Sequence, residues 1–521
     1  MEWQVSSTIH GGPARSSAEL DSFQHFALTL ERAAQDLEST AAAWRNGHAE
    51  IDHHSRCLPW CPSARGVMEP GHERVAYPNL ELAALNRAQQ FERLADRFRT
   101  TGDLLTRAHS LYSEADATAS RIVTELIQLS CSAFPAQTFG IAGLIAAGAA
   151  VTGSVAEGRV NPIHALTSTA WMQEGLMSGL GAIVGGKGRT APLLGPASTN
   201  ELNMGAGTVA KVSAEVYNQF QGNVLDVDRI EPRRAFLDAP RTIEQAMANL
   251  ERLGKERLGK GEGGTGLDYG TVAIQRFERD DGSTSWLVTI PGTDGKPDSP
   301  FGWPQNVELM SDDPTQRMNA DSARMVADAM RQAGIGANEP VALIGHSQGG
   351  IVAATLASDL KDDYNFSHVV TCGSPVANHP IPQRTWVTSV ENADELVSNL
   401  DGARNPRRDT WLTVRGTVTA GAASPAKPFT STTVTGAHGA KELSHGMNYL
   451  TAAWRNASSL GSSSLERHER HFSSLVAGEL KETSYYRGRM ARGTTIAPEA
   501  TGTAVKPHAA SVDSPGPSTR R

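Results

Sequence analysis

The ten residues VALIGHSQGG, 341–350, decide how this chain is to be read. The apolar run from Pro340 to Ile344 has the length of a strand buried on both faces. It breaks off at Gly345-His346-Ser347-Gln348-Gly349. The segment beyond it, GGIVAATLASDL, carries Ala353, Ala354 and Ala357, small enough for a helix to lie close on a sheet. Strand, Gly-x-Ser-x-Gly, helix is the setting in which a serine is presented on a sharp turn. Side chains at 345 and 349 would collide in a turn that tight, so glycine is needed there. The helix also aims its N-terminal amides at the serine, where negative charge develops in acyl transfer. Ser347 is therefore the candidate nucleophile. The plainer alternative is a serine in a glycine-rich loop.

A serine hydroxyl is a poor nucleophile at neutral pH without a base, and the base needs an acid to orient it. In this setting the order along the chain is Ser, acid, His. Strands are expected in SHVVTCGSP (367–375) and TWVTSV (385–390), with ENADELVSNLDG following the second. An acid just beyond that strand's end reaches the site. Asp394 is the expected acid, and Glu391, Asp401 and Asp409 are its competitors. His445, on the loop before the helical pattern of MNYLTAAW, is the expected base; His438 and His379 are the alternatives. An oxyanion site needs preformed N–H donors. One is expected from Gln348, next to the nucleophile. The other is expected from LVTIPGTDG, where Gly292 permits close backbone approach and Thr293 offers an amide and a hydroxyl; an ordinary turn is the alternative.

Outward from this centre, YGTVAIQRFERDDGSTSWLVTIPGT reads as a hairpin around Asp281-Gly282. Strands and helices then alternate to about residue 455. The fold class this predicts is α/β, a sandwich on a largely parallel sheet. The stretch 239–255 reads as an amphipathic helix, and 187–240 as linker-like. The tail from 491 to 521 has no aromatic residue and is expected to be disordered. The catalytic region is thus placed at 201–490, with its core at 268–455.

An all-α helical hairpin is expected over 1–130. Leu20, Phe23, Ala27, Leu30, Ala34, Leu37, Ala41 and Trp44 recur at spacings of three and four, which makes one apolar seam. WRNG at 44–47 is expected to end that helix, and a second helical pattern runs from about Leu80 to Leu129. A Gly/Ala-rich helical segment and linker fills 131–200. From Leu126 to Ala156 there is no charged residue, a length that would permit a membrane span. Pro135 interrupts it, and the distal half is mostly Ala and Gly. Close helix packing through small residues is the reading, with a membrane-inserting hairpin as the alternative. A fragment of about 200–490 is expected to keep activity without the hairpin.

The net charge of −8 argues against nucleic acid as the main partner. The four cysteines, Cys57, Cys61, Cys131 and Cys372, are too few for a disulfide scaffold, though a local Cys57–Cys61 bridge stays open. HHSRCLPWC invites a zinc reading, but Cys-x-x-x-Cys is not a common zinc spacing, and no metal is expected. No phosphate-binding glycine loop stands in the right context, so no cofactor is expected. The first residues lack the basic start and apolar stretch of a secretory signal.

The catalytic half resembles the class 3 lipases and their α/β-hydrolase relatives. TIPGTDG is similar to their strand-end Gly-Thr, GWPQNVEL to the segment after it, and GHSQGG to their Gly-His-Ser-x-Gly-Gly. TCGSPVAN, ENADELV and HGMNYL resemble, in order, their Gly-Ser-Pro strand, their acid-bearing turn and their final His-x-x-x-Tyr. Pro291 stands where Arg is frequent, and Glu395-Leu396 follows the acid where Asp-Pro is usual. The resemblance implies a Ser347–Asp394–His445 triad with Thr293 at the oxyanion, in a serine hydrolase of carboxylic esters with an ester or lipid substrate. The alternatives are a phospholipase or acyltransferase acting at a membrane surface, and a non-catalytic exported binding protein. The first 130 residues resemble the small WxG hairpin proteins exported by type VII secretion. That resemblance implies secretion-machinery partners and an export signal in Trp44, Tyr112 and Asp116, with the protein secreted or at the cell envelope, and otherwise cytoplasmic. The turn here reads W-x-x-G, and an insertion occupies the tip.

Overall fold

A computed structural model describes residues 2–11, 20–57, 77–111, 127, 131, 135–157, 160–161, 163–184, 204–217 and 224–491. Tyr112, Asp116, Cys61 and the tail after residue 491 lie outside the described residues.

The strand predicted to end at the serine is β5 (Pro340–His346), and the residues flanking it show why the sheet is buried on both sides. Val341 and Leu343 join one apolar core, and Ala342 and Ile344 join the other, because successive side chains of a strand face opposite ways. On one face lie the helices α7 (Ile243–Glu256), α12 (Met447–Ser459) and α13 (Ser463–Leu475), burying Met247, Leu250, Trp454 and Phe472. The other face is covered by α8 (Trp303–Leu309), α10 (Asp321–Gln332) and α11 (Gln348–Asp359), with Leu309, Met325, Ile351 and Leu356 inside. The short α9 (Pro314–Asn319) connects α8 to α10.

The sheet has ten strands in the order β2-β10-β3-β4-β5-β6-β7-β8-β1-β9. Its centre, β4 (Thr284–Ile290), β5, β6 (Asn365–Cys372), β7 (Trp386–Asn392) and β8 (Trp411–Ala420), is parallel throughout. Both flanks are antiparallel, so the sheet as a whole is mixed. One flank carries the expected hairpin, β3 (Thr271–Glu278) to β4, turned at Gly282 with φ +77. Beyond it lie β10 (Glu479–Ala491) and β2 (Val224–Ile230), the latter inside a stretch read as linker.

The other flank departs further from expectation. Residues 2–11, assigned to the helical hairpin, form β1 (Glu2–Gly11), which pairs with β8 on one side and β9 (Thr432–His438) on the other. Trp3, Val5 and Ile9 alternate into the core, a strand period ahead of the helical seam. A fragment beginning near residue 200 would therefore lose an interior strand of the sheet.

The helical seam itself forms α1 (Leu20–Cys57) and α2 (Tyr77–Leu111). Ala34 and Ala41 of one helix and Ala84, Ala88 and Ala95 of the other are buried. The helices are tied by Arg99 to Glu38 at 2.7 Å. WRNG does not end α1. The helix runs on through Trp44, which is 42% exposed, since one interior glycine costs only about 1 kcal/mol. The W-x-x-G is thus not a turn motif. Lys427, on the loop before β9, reaches Asp103 of α2 at 3.2 Å and Glu31 of α1 at 3.5 Å, and so pins the pair to the sheet.

Helix α3 (Pro135–Glu157) carries no charge before Glu157 and is long and apolar enough to cross a membrane by length and composition. Its Phe139, Ile141, Leu144 and Val151 are exposed, so close packing does not account for it. The short α4 (Ile163–Ser168) and α5 (Ala170–Val184) follow, and α6 (Met204–Tyr217) comes after an undescribed stretch. α5 buries Met172, Gln173 and Glu174. Its Glu174 faces Arg404 at 3.4 Å and Arg415 at 3.6 Å. α6 docks beside α9 through Lys211 and Asp313, 3.2 Å apart.

Candidate active site

At the end of β5 the backbone turns sharply, and Ser347 takes φ 53 and ψ −122. Among the described residues it is the non-glycine residue with positive φ, a conformation that persists only where its surroundings enforce it. The enforcement is visible. Ser347 N–H donates to the Cys372 carbonyl at 2.9 Å, and Ser374 Oγ donates to the Ser347 carbonyl at 2.9 Å. A Cβ at position 349 would stand 1.9 Å from the Ile290 carbonyl, so glycine alone lets α11 start this close to β4.

His445 is held at the cavity from the loop before α12. Its Nδ1 lies 2.9 Å from an oxygen of Glu395, whose side chain is fully buried. Asp394, the acid expected from sequence, does not occupy that place. It accepts from Ser444 Oγ at 2.6 Å and lies 3.5 Å from Lys441 Nζ, and so fastens the loop that carries His445. The reason is the turn after β7. Glu395 N–H donates to the Asn392 carbonyl at 3.2 Å, which turns the Glu395 side chain inward, where its other oxygen accepts the Asn392 N–H at 3.3 Å. Asn392 Nδ2 in turn donates to the Ser444 carbonyl at 2.7 Å. Gly373 makes room for the pair: a Cβ there would stand 2.8 Å from Glu395 Oε2 and 2.9 Å from His445 Nδ1. Of the other acids weighed, Glu391 sits against Arg415, and Asp401 accepts from the Ala377 amide. His379 lies apart too, buried beside the Leu309 carbonyl at 2.9 Å.

His346 supports His445 from behind. Its ring packs against that of His445 at 4.8 Å, and its Nε2 lies 3.0 Å from the His445 carbonyl. A carbonyl only accepts, so Nε2 carries the proton. Burial pulls the His346 pKa down to about 3, which keeps this ring neutral.

The oxyanion candidates also meet here. Gly292 lies so close to Ser347 that a Cβ on it would stand 3.1 Å from Ser347 Cβ. The Thr293 hydroxyl accepts from Asn306 Nδ2 at 3.0 Å. Among the described residues neither the Thr293 nor the Gln348 N–H has an acceptor, as preformed donors require. The Gln348 side chain turns away and donates to the Gly302 carbonyl at 2.8 Å. Ser347, His445 and Thr293 line one cavity of about 1360 Å³, whose apolar wall includes Leu258, Val307, Met310, Leu400 and Met447. Trp303, 72% exposed, lines it as well.

Residues 261–507 match the model of the alpha/beta hydrolase family. The C-terminal half carries an alpha/beta-hydrolase domain. No curated protein and no solved structure matches the chain. Within this hydrolase domain the sequence candidates Ser347, His445 and Thr293 line a common cavity, with Gln348 buried next to Ser347, while Glu395 rather than its neighbour Asp394 meets His445. Glu395 stood in the quoted ENADELV, but which of two adjacent acids turns inward depends on the turn at Asn392. Asn392 and His346 also went unread, since both act through bonds to the backbone of a loop far along the chain.

Proposed function

We propose that the protein is a serine hydrolase of carboxylic esters, with Ser347, His445 and Glu395 as its triad. The observation that carries this is that His445, paired with the buried Glu395, lines the same cavity as a serine held at positive φ. With Nδ1 committed to the carboxylate, His445 takes the serine proton at Nε2. Ser347 Oγ attacks the acyl carbonyl, and the charge that forms on oxygen is met by the Thr293 and Gln348 amides. The tetrahedral adduct collapses, and His445 gives its proton to the departing alcohol. Water then repeats the cycle on the acyl-enzyme. The cavity's size and apolar wall favour esters with a long acyl chain over small acetyl esters. Labelling with a fluorophosphonate probe tests the reading, with Ser347→Ala as control. A folded wild-type protein that takes up no label would remove it and leave a binding protein.

A lipid surface as the source of substrate is favoured by α3. A helix apolar on all sides has no polar face for solvent, and its 23 residues rise about 35 Å, near the thickness of a bilayer core. Asn161, just after α3, donates from Nδ2 to the Lys441 carbonyl at 3.0 Å, on the loop that carries His445. Flotation with phospholipid vesicles should carry the wild-type protein upward, whereas Leu144→Asp with Ile141→Asp should leave it behind. Equal flotation of both would reject the membrane reading and leave the esterase reading standing.

A further inference from the structure

Arg257 follows the last residue of α7 and is buried, with its side chain 1% exposed. Its Nη2 donates to the Gly292 carbonyl, and its Nη1 lies 3.2 Å from Asp294 Oδ2. Asp294 is itself immobilised: it accepts from the Gly270 amide and from Ser299 Oγ, each at 2.8 Å. The Phe301 ring closes the other side of the guanidinium at 5.5 Å. The buried cation is thus locked onto one peptide unit, Gly292–Thr293, in the loop beside Ser347.

We propose that Arg257 is a positioning residue of the oxyanion site, acting through the Gly292–Thr293 peptide; the proposal rests on the esterase reading above. A trans peptide is planar and its C=O and N–H point opposite ways. Fixing the Gly292 oxygen on Arg257 therefore fixes the Thr293 N–H on the side away from the guanidinium. The contact has a second effect. A cation on the carbonyl draws electron density from the amide, so the N–H beyond it becomes a stronger donor, and hydrogen bonds in series reinforce one another. In a buried site this reaches a developing negative charge with little screening. Asp294 keeps the cation from being unpaired without touching the Gly292 oxygen.

The role predicts loss in turnover with little change in substrate binding. Arg257→Lys, which keeps a charged donor, should retain more activity than Arg257→Gln. The decisive variant is the double substitution Arg257→Met with Asp294→Asn, which removes both charges together and spares the fold an unpaired buried ion. It should lower kcat by about 10²–10³-fold, the loss expected for one oxyanion donor, with KM nearly unchanged. Affinity for a trifluoromethyl ketone, whose adduct carries the oxyanion, should fall by a similar factor. Native kcat and native inhibitor affinity in the folded double variant would overturn the proposal. So would a change confined to KM, which would make Arg257 a substrate contact, or failure of both the Gln and the double variant to fold, which would assign the pair to the scaffold. If instead the wild-type protein neither turns over esters nor takes the fluorophosphonate label, it is the esterase reading that fails.

Discussion

Glu395 reaches His445 where Asp394 cannot, because the turn at Asn392 points adjacent side chains in opposite directions. The two carboxylates should therefore separate cleanly in kinetics. Glu395→Gln leaves the base without its orienting charge and should lower kcat by about 10³–10⁴-fold. Asp394→Asn keeps an acceptor for Ser444 and should stay within about tenfold of the wild-type rate. Steady-state turnover of a long-chain p-nitrophenyl ester measures both, and the reverse order would restore Asp394 as the acid. Ser347→Ala and His445→Ala should each remove about 10⁴-fold or more while thermal stability holds. Gly373→Ala is a different kind of lesion. It adds a methyl at φ +61, directly against Glu395 and His445, so it should cost activity more heavily than melting temperature.

Among the elements, those with strong local signals were readable. The strand–turn–helix at Ser347 is written in an apolar run, two glycines and three small residues, and β3–β4 in a strand pattern around Asp281-Gly282. β1 was not readable in the same way. Its alternation of Trp3, Val5 and Ile9 is plain, but its partners lie more than 400 residues away, at Ala420 and His438. Nothing local says that such a strand joins a distant sheet. The helix end expected at 44–47 is absent for the opposite reason: a local motif is present, and the helix has enough formers on both sides to run through it. Because β1 is an interior strand with Val5 fully buried, Val5→Pro removes a donor and a packed side chain together. It should destabilise the protein by about 3 kcal/mol or more in a urea titration. A midpoint unchanged by Val5→Pro would mean that β1 is dispensable.

Across the whole molecule, buried histidines make stability depend on acidity. Burial lowers His10, His346, His379 and His468 to about 3 and His471 to about 4, and His368 falls well below its ordinary value. Three of them form one cluster. His368 Nδ1 and His471 Nδ1 are 3.1 Å apart, and Thr388 Oγ1 links His368 to His468 at 2.9 Å on each side. The unfolded chain binds these protons near pH 6.5 and the folded one does not, so their stabilising effect is complete above that pH and is lost as pH falls toward 3. Each fully buried ring contributes on the order of 1 kcal/mol per pH unit in that window. Buried carboxyls work the other way: burial raises Glu391 to about 7 and also raises Asp401, Asp321 and Glu469, but these four are fewer than the six histidines. Melting temperature should therefore drop steeply between pH 6 and pH 4.5; a flat profile would mean that these rings are solvated.

The position of β1 also sets a timetable for synthesis. The strand leaves the ribosome well before both of its neighbours, β8 and β9, which are translated only after Ser347, Glu395 and most of the helices. Until then a ten-residue segment with an apolar face must wait unpaired, open to chaperones or to another nascent chain. Ribosome-stalled chains halted before residue 411 should therefore bind trigger-type holdases through β1, and chains extended past 438 should release them.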